Sequence, residues 1–226
     1  MRALLAAALL FTTTMVSANT TPQQRTESAT KVLKEMAVIP ENSIPERLLA
    51  EAYAIAVVPN LTKAALIFGG RGGKGVISVR GENGAWSNPN YINVGGGSWG
   101  FQAGVQQSDL ILVFTSKAGV ESIIKGKFTL GADAAVAAGP VGRNVQASTD
   151  EKLKAEIFSY SRSKGLFAGI ALDGTVIRID KKANETVYGD MASARSIFDG
   201  RTVTDKAYVI AFRNQLEEAS VRQARK

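Results

Sequence analysis

The chain of 226 residues contains no cysteine and no histidine. Without cysteine there is neither a disulfide framework nor a diacylglyceryl-cysteine anchor, so any membrane contact must be non-covalent. Without histidine the Ser-His-Asp and Cys-His arrangements cannot be built, nor can His-ligated zinc or haem. The easiest general base at neutral pH is missing as well. Carboxylate pairs, Ser-Lys pairs and oxygen-ligated metals remain open. Asp109, Asp133, Asp173, Asp180 and Asp190 are too scattered to form a calcium loop or a paired carboxylate. No metal and no cofactor is expected.

Long hydrophobic runs are scarce too. The apolar run from Ala3 to Val16 is shorter than the roughly 20 residues of a spanning helix, and Thr12, Thr13 and Thr14 interrupt it. "MRALLAAALLFTTTMVSA" instead has the layout of a secretory signal peptide, with cleavage expected after Ala18. The alternative is a cytosolic protein with an apolar N-terminal helix. Under the first reading the chain is exported, periplasmic or secreted, and at most peripheral on a membrane. No linker divides the rest, so residues 19–226 are expected to form a single domain, with 19–43 as an N-terminal helical extension.

Charge is lopsided. The formal net charge is +7, or +6 once Arg2 is removed, which favours acidic partners. Phospholipid headgroups are the acidic surface an exported protein meets most often. Nucleic acid is not expected, because the basic residues are dispersed and no RNP-like aromatic pattern accompanies them.

What the chain does have is glycine, 22 residues, most of them between Gly69 and Gly174. That middle section predicts turn-rich, tightly packed β structure. Ahead of it, Pro22 suits a first helical position, and Ala29, Val32, Leu33, Met36 and Ala37 recur at helical spacing. That stripe fits core packing, or a membrane face flanked by Lys31 and Lys34. Ser43 and Glu46 have capping-box spacing for a second helix, in "SIPERLLAEAYAIAVVP", that gives way to a strand ending at Pro59. The runs "KAALIFGG", "KGVISVRG", "NYINVGG", "WGFQAGVQ" and "DLILVFTS" read as strands in hairpins. A helix follows in "SKAGVESIIKG", then one strand of small residues in "FTLGADAAVAAGPVG". Asp173-Gly174 is a hairpin signal between two apolar runs. Thr204 can cap a last helix with Tyr208, Ala211, Phe212, Leu216 and Ala219 on one face. The fold class is α+β, a curled, mainly antiparallel and barrel-like β-sheet flanked by N- and C-terminal helices.

Two motifs invite a chemical reading. Ser161 and Lys164 have the S-x-x-K spacing of penicillin-recognising enzymes, but the S-D-N and K-T-G elements are absent and the stretch reads as strand and turn. "GRGGKG", Gly70 to Gly75, matches G-x-G-x-x-G, yet Gly75 stands where a Walker loop needs Ser or Thr. No helix opens after it, as a dinucleotide loop requires. A glycine-rich hairpin is the bland reading. The alternative is an anion site in which backbone N–H groups, Arg71 and Lys74 face a phosphate. Asn19, Asn60 and Asn184 begin N-x-T patterns that matter only where glycosylation occurs.

Together "AIAVVPNLTKAALIFGGRGGKGVISVR", "WSNPNYINVGGGSWGFQAGVQQSDLILVF", "KFTLGADAAVAAGPVGR" and "YSRSKGLFAGIALDG" resemble the SYLF domain, a lipid-binding and actin-regulator family, over roughly Ile44 to Arg201. The resemblance is to its stand-alone exported bacterial members. It implies non-catalytic binding of anionic phospholipids, phosphoinositide or another acidic headgroup. In fungal and animal members the domain accompanies Src-homology-3 or zinc-finger modules. This chain has neither, which weighs against actin as its partner. The cations within the family-like motifs, Arg71, Lys74, Arg143, Arg162 and Lys164, are the candidate headgroup-binding residues; solvated or acid-paired surface charge is their ordinary alternative. Tyr160 and Phe167 are expected in the core. No catalytic residue is expected, and the function weighed against lipid binding is envelope scaffolding through a protein partner.

Overall fold

The computed structural model describes residues 20–36, 44–65, 68–99, 104–141, 155–163 and 166–221. The expected signal segment, Ser43, Arg143 and Lys164 lie outside them. Helix α1 (Pro22–Met36) opens on a reciprocal cap. The Gln24 N–H donates to Thr21 Oγ1 at 3.2 Å and the Thr21 N–H to Gln24 Oε1 at 3.0 Å. Its stripe of Ala29, Val32, Leu33 and Met36 is no more than 4% exposed, so this face is packed into the protein.

The second helix is shorter than its sequence suggests. α2 (Glu46–Ala50) begins after Pro45 with no side-chain cap hydrogen bond there. The β-branched run that follows decides the matter: Ile55 and Val57 pair with strands on both sides, and tertiary pairing overrides helix propensity.

The strands are β1 (Ala54–Ala65), β2 (Phe68–Val79), β3 (Asn90–Trp99), β4 (Gly104–Phe114), β5 (Phe128–Thr129), β6 (Val136–Ala138), β7 (Ile157–Ser163), β8 (Leu166–Gly169) and β9 (Val176–Ile179). The remaining helices are α3 (Lys117–Lys125), α4 (Lys181–Tyr188), α5 (Ala194–Phe198) and α6 (Ala207–Val221). The sheet runs β5-β9-β3-β2-β1-β4-β7-β6, with β8 on β7. Among the described strand-to-strand ladders only β6 with β7 is parallel. The stretch read as one strand of small residues forms two, β5 and β6, on opposite edges. The tight turn at Thr129–Asp133 breaks it, the Thr129 N–H donating to Asp133 Oδ2 at 2.6 Å. Residues 130–135 therefore cross between edges, and the chain crosses again between β8 and β9. This is the curled half-barrel anticipated from sequence.

Asp173-Gly174 does turn the chain, with Gly174 at φ +73 and the Thr175 N–H on the Leu172 carbonyl at 3.0 Å. It does not make a hairpin, because β8 pairs with β7 while β9 pairs with β3 and β5. Turn chemistry fixes the local bend only; long-range register decides which strands meet.

Both faces of the sheet are apolar. On the outer face Val57, Val76, Ile111 and Phe158 pack with Leu33 of α1 and with Phe212 and Leu216 of α6. On the inner face Val58, Ile77, Ile92 and Leu112 pack with Ile123 of α3 and with Phe128. Each fully buried side chain of this kind contributes roughly 1.5–3 kcal/mol. α6 starts at Ala207, later than a Thr204 cap implies, although Thr204 Oγ1 still accepts the Lys206 N–H at 3.3 Å. Phe212, Leu216 and Ala219 are buried as expected, whereas Ala211 is exposed.

Candidate functional site

β1 carries a bulge. Its register slips between Val57 and Thr62 against β2 and between Val58 and Leu61 against β4. Asn60 takes φ +51, a conformation that Asn tolerates better than most residues, and its N–H donates to Asp109 Oδ1 at 3.0 Å. The extra residue presses Val58 and Leu61 onto β2. A Cβ on Gly73 would lie 2.8 Å from Val58 Cγ1 and 2.9 Å from Leu61 Cδ1. A Cβ on Gly75 would run into the Val57 carbonyl.

This corrects the reading of GRGGKG as a hairpin. The motif lies inside β2, in unbroken register with β3 from Phe68 to Ile77, so most of its backbone polar groups serve the sheet and do not cradle a phosphate. Glycine is there for close strand approach, which mimics the composition of a turn.

A strand also separates what sequence proximity suggests is together. Side chains alternate faces, and Val76 lies on the outer face while Ile77 lies on the inner. Lys74 accordingly faces out and Arg71 faces in. Each heads its own row. On the inner face Arg71 lies directly opposite Lys63 of β1, and Lys63 opposite Gln106 of β4. On the outer face Lys74 lies opposite Asn93 of β3, and Asn93 opposite Arg178 of β9. Lys74 and Arg178 flank one strand, about 10 Å apart given a strand spacing of about 4.8 Å.

Like Lys34, Lys125, Lys127, Lys181, Lys182 and Lys206, the cations of these rows have no acid beside them among the described residues, whereas most of the described arginines are engaged. Arg25, Arg47, Arg162, Arg195 and Arg201 each pair with a carboxylate. Arg80 donates to the carbonyls of Leu49 and Ala50, and Arg213 to Asn88. Among the described residues Lys63, Arg71, Lys74 and Arg178 have no such partner. Arg71 is half-buried with its Nε shielded and unbonded, a desolvation cost of about 1–3 kcal/mol. The like charge of Lys63 across the strand adds a further ~0.2–1 kcal/mol. Gly70, Gly72 and Gly97 surround this region, and a Cβ on Gly72 or Gly97 would meet nothing within 4 Å.

Arg162 has a different setting. It donates to Glu35 of α1, has Asp109 Oδ2 at 3.8 Å, and stacks 6.0 Å from the Phe167 ring centre. It thus pins α1 to β7 and sits in the same network as the β1 bulge. Ser161 belongs to β7, opposite Ala168, so it has no helical nucleophile geometry. Tyr160 is fully buried and Phe167 nearly so. Burial pushes the Tyr160 hydroxyl well above its ordinary range, so it stays protonated. Its ring fills the space that a Cβ on Gly139 would need, which explains the glycine of the GPVGR segment.

The other family-like motifs serve the fold as well. The Arg80 guanidinium stacks 4.7 Å over the Trp86 ring, and burial lowers its proton affinity. Ser87 Oγ accepts the Val79 N–H at 3.1 Å and donates to the Asn88 carbonyl at 3.0 Å. Asn184, which begins an N-x-T pattern, is 2% exposed and receives the Tyr91 N–H at 2.9 Å. It is a core residue. Lys63 and Arg178 were not singled out by sequence motif; period-two alternation along β1 and β9 was the signal for them.

The arrangement defines a curled-sheet α+β domain with a cationic, glycine-rich sheet end. The model of one family, "Ysc84: Las17-binding protein actin regulator", matches residues 95–219. SH3 domain-containing YSC84-like protein 1 of Xenopus laevis is 35% identical over 173 residues, covering 74% of this chain and 51% of that protein. The Homo sapiens protein of the same name is 34% identical over 182 residues, 78% of this chain and 53% of that one. LAS seventeen-binding protein 3 of Saccharomyces cerevisiae is 37% identical over 161 residues, 70% of this chain and 35% of that one. The chain belongs to this Ysc84 family, the SYLF family that its motifs resemble. It spans about half the length, or less, of the curated relatives it matches.

Proposed function

We propose that this domain binds anionic membrane phospholipids, without catalysis, through the glycine-rich end of its sheet. The observation that carries this is the set of cations with no counter-charge, Lys63, Arg71, Lys74 and Arg178, on the strands around the glycines. Arg71 and Lys74 come from the family-like motifs, and their row partners join them. Arg143 and Lys164 belong to the same proposal on sequence alone. Arg162 is paired with Glu35 and holds α1, so it adds no free charge to the set.

Each cation near an anionic surface contributes about 1 kcal/mol, so the two cations of either face give roughly 2 kcal/mol of reversible attachment. Salt weakens it, because the Debye length is only about 10 Å at 0.1 M. An exported location, the expectation carried by residues 1–18, would bring the domain to an envelope membrane. The test is co-sedimentation with neutral and anionic vesicles at low and high salt. Binding to anionic vesicles alone, lost in high salt, is the expected result; equal binding to neutral vesicles, or none to either, rejects it.

A protein partner is the second reading, favoured by the words "Las17-binding protein actin regulator" in the family description. Crosslinking that captures one defined protein in the absence of lipid would favour it, whether that protein is an envelope component or an actin regulator.

A further inference from the structure

The inner-face pair Lys63 and Arg71 presents two cations directly opposite each other with no carboxylate between them. Arg71 is half-buried, with its Nε shielded and unbonded. Its neighbours along β2 on the same face are Gly69 and Gly73, and Gly96 lies opposite it on β3. No side chain from those positions covers the guanidinium. On the far side the wall is backbone: a Cβ on Gly96 would lie 3.0 Å from the Gly174 carbonyl. A guanidinium fork directly across from an ammonium, flanked on its own face by glycines, matches the three free oxygens of a phosphomonoester.

We infer that Lys63 and Arg71 form a subsite for one phosphate group, with the two Nη groups of Arg71 donating to two oxygens and Lys63 donating to the third. It is separate from Lys74 and Arg178, which lie on the opposite face. The lipid source of that phosphate rests on the proposed function; the subsite itself does not. Free inorganic phosphate and the exposed monoester of a lipid headgroup share this chemistry.

The experiment uses the full chain, with Lys63→Gln, Arg71→Gln and, as control, Lys74→Gln. Thermal unfolding and the Arg71 Nε–H signal are followed on titration with inorganic phosphate against chloride of equal ionic strength. Phosphate is expected to raise the Tm of the wild type and of Lys74→Gln and to shift the Arg71 signal saturably, with binding at least ~10-fold weaker in Lys63→Gln. Without phosphate, Lys63→Gln should melt no lower than wild type, because it removes a like-charge contact. An equal phosphate response in wild type and Lys63→Gln, or no response in either, overturns the subsite.

A second arm compares vesicles containing phosphatidate, a monoester, with vesicles containing phosphatidylglycerol, a diester. A preference for phosphatidate that Lys63→Gln loses supports the lipid as source. Phosphate binding with no vesicle binding upholds the subsite as a free-phosphate site and rejects the membrane reading. Vesicle binding with no phosphate response upholds the membrane reading and rejects the subsite.

Discussion

Along β2 the same strand changes from packing to presenting. At its C-terminal half Val76, Ile77 and Val79 are no more than 5% exposed, gripped between α1 and α6 on one face and α3 on the other. At its N-terminal half Gly70 and Gly72 are interspersed with Arg71 and Lys74, and the helices no longer supply an acid for either cation. One half therefore tolerates little change in volume, and the other is governed by charge. The bulge at Asn60 marks the border, because it is where close strand approach replaces side-chain packing.

That contrast can be broken by substitution. Phe212→Ala, which empties a fully buried position against the outer face, should destabilise by about 3–5 kcal/mol in urea unfolding. Gly73→Ala, at the border, forces Val58 and Leu61 to move and should cost about 1–3 kcal/mol by the same measurement. Arg162→Ala should cost only ~1 kcal/mol, since Glu35 is 37% exposed and water screens the pair. Co-sedimentation with anionic vesicles should survive that change. Gly72→Ala, in open space, should shift stability by less than about 0.5 kcal/mol. A cost for Gly72→Ala as large as that for Gly73→Ala would erase the distinction between the two halves.

Much of this division is readable in the chain, and where it is not, the reason is physical. The stripe of α1 and the apolar face of α6 follow helical spacing closely enough that Leu33, Phe212 and Leu216 are identifiable as core. The curl follows from short strands and small residues. By contrast α4 and α5 are short, and their caps, Asp180 and Ser193, look like ordinary loop residues until the Asp180 side chain accepts the Ala183 N–H at 3.2 Å. GRGGKG misleads because glycine signals both a turn and a close contact. Only the bulge of β1, a long-range feature, distinguishes them. Once the motif is known to be strand, alternation places Arg71 and Lys74 on opposite faces, and register supplies Lys63 and Arg178. The ion pair of Arg162 with Glu35 spans two distant segments and leaves no local trace.

In the proposed function the cations around the glycines hold the domain to anionic membranes. Its most direct test is co-sedimentation of a variant carrying Lys63→Glu, Arg71→Glu, Lys74→Glu and Arg178→Glu with anionic vesicles at low salt, beside the wild type, after circular dichroism and urea unfolding show that the variant is folded. The wild type is expected to sediment with the vesicles and the folded variant to stay in the supernatant. A folded variant that sediments as fully as the wild type would contradict that function.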